Sequence, residues 1–183
     1  MNFIGHALLA QRGNDDFLFG NLVADGIKGS DLSALPDDVA RGVRLHRRVD
    51  SGIDRHPCVS ALRARMPARR VAGIALDLVW DHFLSRDWLT PELAERCYAV
   101  LSSHPIPERS ASLVSRLLQG RWLEHYADFD FCCQAILGVG KRLRGIDHNP
   151  LTAILPWLWS HHDELEDHFN RLWPDLLDQY QAV

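Results

Sequence analysis

Lysine is almost missing from this 183-residue chain: Lys28 and Lys141 are the only two, so arginine supplies nearly all the positive charge. No stretch approaches ~18 consecutive uncharged apolar residues, so no transmembrane helix is expected. The opening residues Met1-Asn2-Phe3-Ile4-Gly5-His6 lack the basic segment that begins a secretory signal. The cysteines, Cys58, Cys97, Cys132 and Cys133, form no Cys-x-x-Cys pair, and adjacent Cys132-Cys133 make a poor disulfide framework. Free thiols in a reducing cytoplasm are the expectation. Also missing are the HExxH zinc-protease motif, a P-loop, GxGxxG and the GxSxG elbow. Alternating apolar–polar runs longer than about four residues are absent too, which argues against a sheet.

What is present is an ordinary globular composition, 46% hydrophobic and 24% charged with a net charge of −4. The length suits one domain with a sizeable core. Without repeats, low-complexity runs or Gly/Ser linkers, residues 1–183 read as a single all-α helical bundle. Expected helices are roughly 2–11, 16–27, 37–54, 57–65, 68–86, 91–103, 108–125, 129–144 and 150–180, the last interrupted by Pro156 and Pro174. Pro36-Asp37-Asp38 opens a helix with acids on its first turn, where they complement the dipole. Thr90-Pro91-Glu92 is a cap followed by proline at the first helical position. His104-Pro105-Ile106-Pro107 and Asp147-His148-Asn149-Pro150 are breaks.

The helix through Val71–Leu84 is apolar nearly all round and should be buried. Yet it carries Asp77 and Asp81, four apart and so on one face. Two carboxylates there need a cation beside them, either a metal or an arginine. The spacing recurs in His46/Asp50, with Asp54 next on that face if the helix runs on, and in Asn21/Asp25 and Asn2/His6. Helix bundles build metal sites from such pairs on facing helices. A His/Asp mixture suits Zn, Mn or Fe, and the lack of a thiolate argues against a structural zinc cage. Arg47 and Arg48 flank His46; arginine beside a metal is equipment for phosphoester hydrolysis, with water activated near neutral pH.

Residues 41–70 hold nine arginines against Asp50 and Asp54, a local charge of +7 on an acidic protein. This is either a solvated helix face or a docking surface for an anionic partner. The run Ser160-His161-His162-Asp163-Glu164-Leu165-Glu166-Asp167-His168 reads as a solvated amphipathic face, His161 being its most suggestive member. Trp122, Tyr126, Phe129, Phe131, Trp157, Trp159 and Trp173 read as core, with a few available to line a groove for a long ligand. The negative net charge argues against nucleic acid as the main partner.

Taken in order, Asn2-Phe3-x-x-His6, Gly20-Asn21-Leu22-x-x-Asp25, Gly42-x-x-x-His46-Arg47-Arg48-x-Asp50 and Leu76-Asp77-x-x-x-Asp81-His82-Phe83-Leu84-Ser85 resemble the acyl carrier protein phosphodiesterase family. Trp122-Leu123-x-x-Tyr126-x-Asp128-x-Asp130-Phe131 and Phe169-x-x-x-Trp173-Pro174 are similar as well, so the resemblance spans nearly the whole chain. It implies hydrolysis of the phosphodiester between 4′-phosphopantetheine and a serine of acyl carrier protein, in the cytoplasm, with a divalent metal, manganese before magnesium. It also implies a distant likeness to the helical HD phosphohydrolases, although Asp81-His82 reverses the usual His-Asp order.

Matched residue by residue, the resemblance implies Asp25, His46, Asp77 and Asp81 as metal ligands. His6, Asp50 and His82 are alternates or orient the ligands. Arg47 or Arg48 would hold the phosphate, helped by Lys28 one turn beyond Asp25 if that helix continues. Arg63, Arg65, Arg69 and Arg70 would dock the acidic carrier protein. Two other classes stay open: a related phosphohydrolase acting on a nucleotide or alarmone, and a non-catalytic helical module whose carboxylates pair with arginines. The oligomeric state is left open.

Overall fold

The structure, a computed structural model, describes residues 3–143 and 149–181. Asn2 and the Asp147-His148 part of the expected break lie outside the described residues. Among the described residues there are helices and no strand. The helices are α1 (Phe3–Ala10), α2 (Asp15–Val23), α3 (Asp37–Ile53), α4 (Pro57–Arg65), α5 (Ala72–Asp87) and α6 (Pro91–Ser103). They continue as α7 (Glu108–Gly120), α8 (Trp122–His125), α9 (Phe129–Gly140), α10 (Leu155–Ser160) and α11 (His162–Tyr180).

Local chemistry accounts for most boundaries. Asn14 caps α2 by accepting from the Phe17 amide, and Thr90 caps α6 by accepting from Leu93. Pro57 and Pro91 stand in first turns, where a missing N–H costs nothing. Four expectations change. The helix expected over 68–86 starts at Ala72, because Pro67 follows α4 and Ala68 takes a left-handed φ of 51°. The helix expected over 108–125 breaks at Arg121, with φ 46°. Trp122 folds back there over Gly120, where a Cβ would stand 2.1 Å from the indole nitrogen. The last helix breaks at His161, whose ring stacks on Trp157, and not at the prolines. Pro156 fits the first turn of α10, and α11 runs through Pro174. The helix expected over 16–27 ends at Val23 in a short 3-10 turn, Ala24–Gly26, leaving Lys28 on an exposed loop.

α5 is the central rod. Ala75, Val79, Trp80, Phe83 and Leu84 are fully buried, and Trp80 and Phe83 stack with Phe169 of α11. One hydrophobic cluster runs from Ile4 to Tyr180. The closest helix crossing is α2 on α3. A Cβ on Gly20 would sit 2.1 Å from the Val39 carbonyl oxygen, and one on Gly42 2.1 Å from that of Phe17. Only glycine permits backbones to approach so closely. That approach brings the C-terminal end of α2 against His46.

Candidate metal centre

His46 is buried on the inner face of α3. Its Nδ1–H donates to the Asn21 carbonyl at 2.7 Å, which turns Nε2 outward. Nε2 lies 3.1 Å from Asp50 Oδ2, one turn further along α3, and 3.3 Å from Asp25 Oδ1 beyond the end of α2. His6 of α1 stacks on His46, ring centroids 3.7 Å apart and planes within 13°. Its Nε2 faces the other oxygen of the same carboxylate, Asp50 Oδ1, at 3.1 Å. Ligand atoms of His6, His46 and Asp50 all lie within 4.8 Å of one another. The imidazoles are buried, while Asp50 and especially Asp25 reach solvent.

Two contacts hold His6 in place. Asn21 Nδ2 donates to the His6 carbonyl at 3.3 Å. The Ile4 and Gly5 amides donate to the Asp81 carboxylate at 3.1 and 3.2 Å, so Asp81 caps the helix that carries His6. Burial pushes the Asp81 carboxyl up to about 7 despite those amides.

The electrostatics of the cluster are polarised. Burial alone would keep His46 neutral, but hydrogen bonds with Asp25 and Asp50 outweigh it and raise its pKa to about 9. Burial lowers His6 to about 4, and the neighbouring His46 charge adds to this. Burial works against ionising Asp50, yet hydrogen bonds from both imidazoles hold its carboxyl far below the usual range. At neutral pH the cluster is therefore a His46 imidazolium held between two carboxylates.

The donor set fits a divalent cation. A carbonyl holding Nδ1–H fixes the ring so that Nε2 can ligate, as is usual for a metal-bound histidine. Among the described residues, His6 Nδ1 and Asn21 Oδ1 are buried with no hydrogen-bond partner. Two imidazoles and a carboxylate suit Mn, Fe or Zn.

The other expected site residues are dispersed. Asp81 is engaged at the start of α1, and His82, one residue later on α5, faces the end of α8 and the start of α11. There its Nδ1–H donates to the Tyr126 carbonyl at 2.9 Å, and its Nε2 lies 3.3 Å from His162 Nε2. Asp77, half-buried, lines a cavity of about 470 Å³ that also reaches Asp25. Burial raises its carboxyl. Arg47 donates to the Ile27 and Gly29 carbonyls at 2.8 and 2.7 Å, pinning the loop of Lys28 rather than facing the cluster. Arg48 lies over the Tyr180 ring. Asp54 follows the end of α3 and pairs with Arg63. Arg65 pairs with Glu164, whereas Arg69 and Arg70 are exposed with no ion pair among the described residues. His161 stacks on Trp157, away from the cluster.

Sequence reasoning missed Arg116 and Arg142, which line the same cavity as Asp25 and Asp77. Arg116 stands on α7 and Arg142 in the basic run Lys141-Arg142-Leu143-Arg144 after α9, and no spacing signals that they meet.

The chain matches the family model described as acyl carrier protein phosphodiesterase over residues 1–176. A protein of that name from Escherichia coli O6:K15:H31 is 37% identical, the match covering 98% of this chain and 97% of the relative. Its namesakes from Enterobacter sp. (strain 638) and Salmonella dublin are 36% and 35% identical with the same coverage. No solved structure matches the chain.

Proposed function

The chain belongs to the acyl carrier protein phosphodiesterase family, and we propose that it cleaves the phosphodiester joining 4′-phosphopantetheine to the carrier protein serine, in the cytoplasm. The products are apo-carrier protein and 4′-phosphopantetheine. His6, His46 and Asp50 hold a divalent cation, manganese first, with Asp25 as a fourth donor at the exposed edge. Asp77 stands beside the substrate space, and Asp81 positions the His6 helix. The convergence of two Nε2 atoms on the Asp50 carboxylate, with Asp25 shared between that cluster and a cavity, carries this reading.

A cation held there supplies a Lewis acid for the phosphoryl oxygens and acidifies bound water. The chain supplies the rest. Asn21 fixes the His46 tautomer, and Asp50 bridges the two imidazoles. Asp25, exposed and held low chiefly by its His46 hydrogen bond, is ionised at neutral pH and so ready to serve as that fourth donor. Lys28, on the loop pinned by Arg47, supplies positive charge near the phosphate. Arg69 and Arg70 dock the acidic partner, since Arg63 and Arg65 are neutralised by Asp54 and Glu164.

Metal-stripped protein is incubated with holo-carrier protein, with and without Mn²⁺, and the carrier is weighed by intact mass spectrometry. Loss of the phosphopantetheine mass only with Mn²⁺ is expected. An unchanged carrier mass with folded, Mn²⁺-loaded protein would refute the reading.

A further inference from the structure

The cavity beside the cluster has a chemistry of its own. Its lining carries the carboxylates of Asp25 and Asp77 and the guanidinium groups of Arg116 and Arg142. The same lining includes apolar side chains, among them Trp122 of α8, Phe131 of α9, and Ile74 and Leu78 of α5. Arg116 donates to the Ser112 carbonyl of its own helix at 3.2 Å. Neither arginine makes an ion pair among the described residues, so most of their N–H donors are available to a guest. The two charges are close enough that burial first, and then Arg116, depress the Arg142 pKa. The volume of about 470 Å³ lies in the range of small-molecule sites, ~300–1,000 Å³.

We propose that this cavity receives the pantetheine arm of the carrier protein's prosthetic group, with Arg116 and Arg142 donating to its carbonyl oxygens. The inference rests on the phosphodiesterase reading above, which puts the scissile phosphate beside Asp25. A pantetheine arm is a neutral chain of methylenes and a gem-dimethyl group interrupted by two amides. Apolar walls suit its hydrocarbon, and donors from two arginines suit amide oxygens that would otherwise be desolvated without partners. A free anion alone would match the arginines and leave the aromatic walls unused. Aromatic walls alone would leave the guanidinium groups unpartnered.

Gly138 of α9 offers a clean test. It lines the cavity, and a Cβ built on it meets nothing within 4 Å. Gly138→Leu therefore fills the arm's space from a helical position without backbone strain. Arg142→Ala, at an exposed residue, is the second variant and removes one donor without touching the core. The readouts are KM for holo-carrier protein, the inhibition constant of 4′-phosphopantetheine, Tm and Mn²⁺ affinity. In Gly138→Leu both KM and the inhibition constant should rise at least about tenfold, with Tm and Mn²⁺ affinity near wild type. In Arg142→Ala, KM should rise more than kcat falls. Unchanged KM and inhibition constant in both variants overturn this inference alone. Failure of the wild-type protein to convert holo-carrier protein overturns the phosphodiesterase reading and this inference with it.

Discussion

α3 and α5 each carry a polar pair at the same spacing, His46/Asp50 and Asp77/Asp81, and the fold uses the two pairs differently. On α3 both members face one opening, where α1 and the end of α2 bring His6 and Asp25 to meet them. On α5 the shared face runs along α1, so Asp81 meets the Ile4 and Gly5 amides while Asp77 lies one turn back against a cavity. Four-residue spacing guarantees a common face and not a common partner. The partner is set by where the facing helix begins. Here it begins opposite Asp81, which makes that carboxylate a cap. The same first turn of that short helix delivers His6 to the His46 cluster, so the α5 pair supports the α3 pair from a distance.

Breaking each pair separately should expose the difference. His46→Ala removes the group hydrogen-bonded to both Asp25 and Asp50. Steady-state assays with Mn²⁺ should show kcat/KM lowered by more than about 100-fold, beyond the usual cost of lost second-shell support. Thermal melting should show the fold retained. Asp81→Ala leaves two buried amides unpaired and should cost about 1–3 kcal/mol, read as a lower midpoint in urea. Its folded fraction should still bind Mn²⁺, detectable by calorimetry. Complete loss of Mn²⁺ binding at unchanged stability would instead make the α5 pair the metal site.

A subtler contrast lies in protons. His46, at about 9, carries a proton at neutral pH that a cation must displace, whereas His6, at about 4, carries none. Binding at pH 7 should therefore release about one proton, and affinity should climb with pH until about 9. Calorimetry in buffers of different ionisation enthalpy reads the proton count. The smallest effect belongs to the surface: Arg69→Glu should raise KM for the carrier protein a few-fold at low salt and less at high salt, with kcat unchanged.

Much of this was legible before any coordinates. Caps and prolines marked α3, α4 and α6 to within about a residue, because those signals act within one turn. Gly20 and Gly42 belong to the residues that carry the family resemblance, and the α2–α3 crossing gives the physical reason. His46, Asp50, His6 and Asp25 could be nominated because each shares a helix face with a polar partner. What sequence could not assign was which nominees meet. That depends on the order in which α1, α2 and α5 pack on α3, and it separates Asp81 and His82 from the cluster. Arg116 and Arg142 left no trace at all, since exposed arginines on distant elements look alike until a cavity joins them.

The central claim is the position of the cation, and anomalous scattering at the manganese edge from crystals soaked in Mn²⁺ tests it most directly. The account predicts a peak bounded by His6, His46 and Asp50, with Asp25 at its open side. A peak beside Asp81, or between His82 and His162, with none at His46, would contradict it.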